Sequence, residues 1–109
     1  PIYEKEYWTR IKGDLLPAGI DVQILDMAIN AGVSRAAKLL QKVVGTKVDG
    51  GIGSQTLAAV SKMNTVDVIE NYAAQREAFY KRLNQPRFEK GWLRRNEKTK
   101  IEALKLAGS

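Results

Sequence analysis

Val48-Asp49-Gly50-Gly51-Ile52-Gly53-Ser54-Gln55-Thr56-Leu57 is the stretch that no generic helix accommodates. Three glycines within four residues, led by an aspartate and followed by Ser-Gln-Thr, describe a backbone that turns tightly and then enters a helix. Asp49 is expected to accept backbone N–H bonds across the turn, while one of Gly50, Gly51 and Gly53 takes a positive φ that a side chain would resist. Val48 and Ile52, the bulky apolar groups of the turn, are expected to point inward and pin it to the core. Ser54 is the expected N-cap of the helix that follows.

An isolated Asp-Gly is ordinary turn punctuation. Here it is flanked by Leu40, Gln41, Val44 and Gly45 upstream and by Thr56, Leu57 and Ala59 downstream. The order Leu-Gln, hydrophobic-Gly helix end, Val-Asp-Gly, Ile-Gly, Thr-Leu-x-Ala resembles that of peptidoglycan-binding helical modules.

Helical periodicity runs outward from the turn in both directions. Upstream, Arg35 to Val44 buries Ala36, Leu39, Leu40 and Val43, with Ser34 as the expected cap and Gly45 as the stop. Before it, Asp21 to Ala31 is apolar around most of its circumference, which predicts a central, buried helix capped by Asp21 and ended by Gly32. Gly13 to Gly19 reads as a connector held by Leu15 and Leu16, since Leu16 precedes a proline. Residues 2 to 12 place Ile2, Tyr3, Tyr7, Trp8 and Ile11 on one helical face. A chain that opens inside a periodic element is expected to be cut from something longer, although Pro1 after removal of a methionine is an alternative.

Downstream, a helix from about Gln55 to Lys62 precedes a long one over residues 66 to 84. The long helix carries Val66, Ile69, Tyr72, Ala73, Phe79, Tyr80 and Leu83 on a face in which Arg76 is the odd member. An arginine in that position calls for a buried acid. Gln85-Pro86-Arg87 breaks the chain, and a basic helix from roughly Phe88 to Ala107 follows. Its expected apolar stripe is Phe88, Trp92, Ile101 and Leu104, with Arg87, Arg94, Arg95, Lys98, Lys100 and Lys105 on the outside. The fold class is all-α, an orthogonal helical bundle with one short Gly-rich turn, in a single domain over residues 1–109.

Composition narrows the chemistry. The 109 residues contain no cysteine and no histidine, which removes disulfides, Ser-His and Cys-His catalysis and the usual zinc ligands. No metal site and no cofactor is expected, and any hydrolysis must use carboxylates. No apolar run approaches the ~20 residues that span a bilayer. A net charge of +6 from 18 basic and 12 acidic residues favours polyanions, whether nucleic acid, anionic membrane or cell-wall polymer. A nucleic-acid reading rests on charge and the last helix alone, with no recognition-helix motif, and ranks as unlikely.

Gln23, Asp26, Met27 and Asn30 form the remaining stripe of the central helix. A carboxylate and an amide one turn apart on a mostly buried helix must find partners. One reading pairs Asp26 with Arg35 or Arg76 and has Asn30 brace a neighbouring segment. The other makes Asp26 and Asn30 the wall of a groove where a sugar chain lies.

Taken together, Tyr3, Tyr7-Trp8, Asp14-Leu15-Leu16-Pro17-Ala18-Gly19, Leu25-Asp26-x-Ala28-x-Asn30-x-Gly32, Arg35-Ala36-Ala37, Leu40-Gln41, Val48-Asp49-Gly50-x-Ile52-Gly53, Thr56-Leu57, Arg76-x-x-Phe79-Tyr80 and Gly91-Trp92-x-x-Arg95 resemble glycoside hydrolase family 108. These are lysozyme-like muramidases, often labelled secretion activators, whose C-terminal half is described as a predicted peptidoglycan domain. The resemblance implies a lysozyme-like bundle with peptidoglycan as partner; the position matching Asp26 is part of a core motif in the family and is not assigned as catalytic, while substrate contacts are expected from the Asp26 and Asn30 stripe. It also implies a parent enzyme that cleaves the N-acetylmuramic acid to N-acetylglucosamine linkage, acting in the cell envelope or periplasm or released at phage lysis. The family's general acid is a glutamate in a Glu-Gly-Gly-Tyr motif, and that tetrapeptide is absent from these residues. No catalytic residue is therefore assigned, and a non-catalytic binding module gripping the polymer with the Asp49 to Gly53 turn is the alternative.

Overall fold

The computed structural model describes residues 2–108, with side chains from Lys5 onward. The inward positions expected of Ile2 and Tyr3 lie outside the described side chains. Six helices follow one another: α1 Ile2–Arg10, α2 Ile20–Ala31, α3 Val33–Val44, α4 Ser54–Lys62, α5 Thr65–Leu83 and α6 Pro86–Ala107. A 3-10 turn, Gly13–Leu15, joins α1 to α2. There is no strand among the described residues, and the all-α bundle expected from periodicity is what forms. No helix among them is long and apolar enough to cross a membrane.

The α2 helix packs against α1, the 3-10 turn, α3, α5 and α6, which makes it the centre. Ile20, Ile24, Met27 and Ala28 of α2 are fully buried, and they join Ile11, Leu40, Ile52, Val60, Ile69, Tyr72 and Ala103 in one continuous core. Three buried side chains stitch neighbouring helices onto main-chain carbonyls. Gln23 Nε2 of α2 donates to Ile69 O at 2.9 Å, Tyr72 Oη of α5 to Ala36 O at 2.9 Å, and Asn96 Nδ2 of α6 to Ala73 O at 2.9 Å. Each such bond inside a dry core also fixes helix register, because the unpaired alternative costs about 1–3 kcal/mol.

Several expected details shift. Ser54, Ser34 and Asp21 are not N-caps: the capping positions are Gly53, Gly32 and Gly19, and each expected cap residue stands inside the first turn. Asp21 still serves the helix start, accepting from the N–H groups of Gly19 and Val22. Asn64 caps α5, accepting from Asp67 N. Leu16 is buried in the connector while Leu15 is exposed. The chain break before α6 falls at Asn84, in left-handed geometry, and Gln85. Pro86 then opens the helix, where its missing N–H is not needed.

The largest departure is in α6. Its buried residues are Asn96, Thr99 and Ala103, whereas Phe88 and Ile101 of the expected stripe are about half exposed. The face α6 packs against offers a carbonyl and a carboxylate as well as apolar groups, so polar residues are buried in its place.

Candidate functional site

The turn is built around a residue that the sequence named only as a flank, with no role assigned. Gln41, buried in the last turns of α3, receives Asp49 N and Gly50 N on its Oε1, each at 3.0 Å. Its Nε2 donates among Asp49 Oδ1 at 2.9 Å, Gly51 O at 2.9 Å and Thr56 Oγ1 at 3.2 Å. One amide thus replaces the ladder that a strand would provide for the loop. Asp49 Oδ1 also accepts from Gly51 N at 3.0 Å, as expected, and these hydrogen bonds hold its carboxyl below the ordinary carboxylate value. Gly50 is the positive-φ glycine, at 85°. Gly53 is extended, and Gly51 contributes its N–H and carbonyl, which any residue could supply. Ile52 anchors the turn in the core while Val48 is 43% exposed, so one apolar side chain does the pinning expected of two.

Asp26 lies at the junction of α2, α5 and α6. Its carboxylate accepts from Arg76 Nη2 at 2.7 Å, from Arg95 Nη2 at 2.7 Å and Nε at 3.0 Å, and from Thr99 Oγ1 at 3.2 Å. Arg76 is fully buried, and Asp26 retains 19% side-chain exposure. Burial alone would raise the Asp26 pKa. The hydrogen bonds from Arg95 and Arg76, with their charges, outweigh it and hold the carboxyl below its ordinary value. The arginine expected from the face of α5 is therefore in place. Arg95, placed by the sequence on the outer surface of α6, turns inward to complete the clamp, and Lys100 pairs with Glu97 at 3.3 Å.

Asn30 stands one turn beyond Asp26 and is exposed. Its Oδ1 accepts from the Tyr80 hydroxyl at 2.7 Å, and that hydroxyl oxygen accepts from Arg76 Nε at 2.9 Å. The Tyr80 ring stacks on Trp92 at 5.2 Å between centroids, and Trp92 on Phe88 at 5.6 Å. Asp26 and Asn30 are thus joined through Arg76 and Tyr80. Gln23 and Met27, the other members of the stripe, are wholly buried and line no groove.

An open recess of about 460 Å³ lies over the clamp, lined by Asp26, Arg94, Arg95, Lys98, Thr99 and Glu102, with Gly91 leaving one edge clear. An aspartate held ionised by two guanidinium groups cannot deliver a proton to a leaving group. It can hold polar groups at fixed positions. Among the described residues, no three His, Cys, Asp or Glu side chains converge as a metal site would require.

The Predicted Peptidoglycan domain family matches residues 35–97, and the Glycosyl hydrolase 108 family matches residues 1–32. The chain belongs to the Predicted Peptidoglycan domain family. The clamp crosses between the two matched segments, since Asp26 comes from the glycosyl hydrolase 108 segment and Arg76 and Arg95 come from the peptidoglycan domain. The solved structure of Brucella abortus SagA is similar over 97% of this chain, at 44% sequence identity and a TM-score of 0.95. This chain covers 62% of that SagA chain. No curated protein matches. These family matches support a peptidoglycan-related role.

Proposed function

We propose that this chain holds peptidoglycan on the α2–α6 face, and that it is the C-terminal part of a longer lysozyme-like muramidase domain that contributes one wall of its cleft. The observation that carries the reading is the Asp26 clamp beneath an open recess. Its charged groups are fixed before any ligand arrives, so little ordering is required on binding. Asn30 adds an amide Nδ2 that makes no hydrogen bond among the described residues, its Oδ1 being the atom that binds Tyr80. That donor suits a sugar hydroxyl or an acetamido carbonyl. Leaving the bond cleavage to groups outside these residues agrees with the lowered pKa of Asp26.

The test is co-sedimentation with purified, teichoic-acid-free sacculi. Binding is expected to persist at ~0.5 M salt, where charge attraction is screened beyond a few Å. Binding to duplex DNA is expected to vanish there. Asn30→Ala and Arg94→Gln are expected to weaken retention on sacculi with little change in melting temperature. Retention on DNA and not on sacculi would reverse the reading.

A further inference from the structure

A second depression, of about 270 Å³, lies between α3 and α5. Its charged lining is entirely cationic: Arg35, Lys38 and Lys42 from α3, and Arg82 from the last turn of α5. The α3 sequence contains no acidic residue. Among the described residues none of the four cations is in an ion pair, and Glu77, the nearest acid along α5, is bound to Lys81. The rest of the lining is apolar, from Leu39, Phe79 and Leu83. The Arg35 guanidinium lies 5.0 Å from the centroid of the Phe79 ring, which it covers. A guanidinium stacked in this way is held in place with its N–H edge free, and that edge matches a planar carboxylate.

We propose that this groove receives the carboxylate-bearing peptide branches of peptidoglycan, an inference that rests on the reading above for the glycan itself. Four unpaired cations favour an anionic occupant. The apolar lining favours one that carries methyl and methylene groups beside its carboxylates, as short alanine-containing peptides do. Position supplies the third argument. The Phe79 ring is 5.5 Å from that of Tyr80, whose hydroxyl holds Asn30, so a branch leaving a glycan at Asn30 starts beside the groove.

The test uses the free stem tetrapeptide (L-alanyl-γ-D-glutamyl-diaminopimelyl-D-alanine) titrated into isotope-labelled protein, followed by backbone chemical shifts. A companion measurement compares intact sacculi with sacculi stripped of peptides by an amidase. The variant is Lys38→Gln, Lys42→Gln and Arg82→Gln together. All three are exposed helix positions without partners, and glutamine has nearly the same helix propensity, so the fold is expected to persist.

The expected result is peptide-induced shifts clustered at Arg35, Lys38, Lys42, Phe79 and Arg82, with the variant binding peptide at least about tenfold more weakly, as losing three charged donors implies. Shifts that are absent or fall elsewhere overturn the groove assignment. So does a short DNA duplex that moves the same residues more strongly than the peptide. Peptide binding in the groove with sedimentation on intact sacculi but none on the stripped glycan leaves this inference standing and removes the glycan reading. If the parent and the variant sediment equally on intact sacculi, and both bind the stripped glycan, the reverse holds.

Discussion

Arg76 is wholly buried and its charge is answered by Asp26, so removing either partner strands the other. Arg76→Met is expected to destabilise the fold by ~3–5 kcal/mol. Arg95→Met removes a half-exposed partner of the same carboxylate and is expected to cost about 1 kcal/mol or less. Chemical denaturation of the two variants checks this, and equal losses would mean that burial does not set the strength of the clamp. The pH dependence has a definite sign. Because the folded Asp26 carboxyl lies below its unfolded value of about 3.9, its contribution is complete above that pH and is lost as pH falls through the folded pKa. The melting-temperature gap between the parent and Asp26→Asn should therefore be at its full width at neutrality and begin to narrow only as pH falls below about 3.9. A gap that stays constant down to pH 3 contradicts it. At this scale the sequence showed one half of the clamp. An arginine inside an apolar face signals a buried acid, but Arg95 sits in a basic run where an inward-facing member looks like any other.

The turn between α3 and α4 shows the same division. Its position and its Asp49 to Gly51 bond were legible because glycine and aspartate have strong local preferences. The part played by Gln41 was not, since nothing local distinguishes a glutamine that reaches over a loop from one that reaches into water. Gly50 carries the positive φ, and a Cβ there would lie 2.6 Å from Ser34 Oγ. Gly50→Ala should cost about 1–2 kcal/mol, the scale of left-handed strain, since the serine hydroxyl can swing aside. Gly53→Ala should be nearly silent, because Gly53 is extended and a Cβ there has nothing within 4 Å. Gln41→Ala should exceed both, as it strips partners from two N–H groups and a carbonyl of the loop at once. Thermal melts order the three, and a Gly53→Ala loss as large as that of Gly50→Ala would refute the assignment of φ. Helix starts were misread by one or two residues because glycine, too, is accepted at the N-cap, and Ser or Asp shortly after it gives nearly the same signal.

For the whole molecule, periodicity was enough to place all six helices and most of their common core, because apolar burial repeats with the helical turn. It misread the inward face of α6, where the buried groups are largely polar. That helix closes the structure on both sides of the family boundary. The carbonyl of Ala103 stands 2.4 Å from where a Cβ on Gly19 would be, and Thr99 and Arg95 reach Asp26. The bundle thus holds the α2 wall rigidly against α5 and α6, and this leads to the last prediction: these residues bind the polymer without cutting it. Glycoside hydrolysis by the usual route needs a proton donor of raised pKa and a second group that activates water or stabilises the oxocarbenium ion, set on either side of the bond. Asp26 is the semi-buried acid of the recess, and its two arginines move its pKa the wrong way for a donor. Glu102, the other acid of the recess, is exposed on α6. Without general acid catalysis a rate falls by about 10²–10⁴, and without the opposite wall of a cleft it also loses positioning worth up to ~7–11 kcal/mol. The turbidity of a cell-wall suspension should therefore stay at the buffer baseline while the protein sediments with the walls. Release of reducing sugar at a lysozyme-like rate, abolished by Glu102→Gln with the fold intact, would instead make the recess a complete active site.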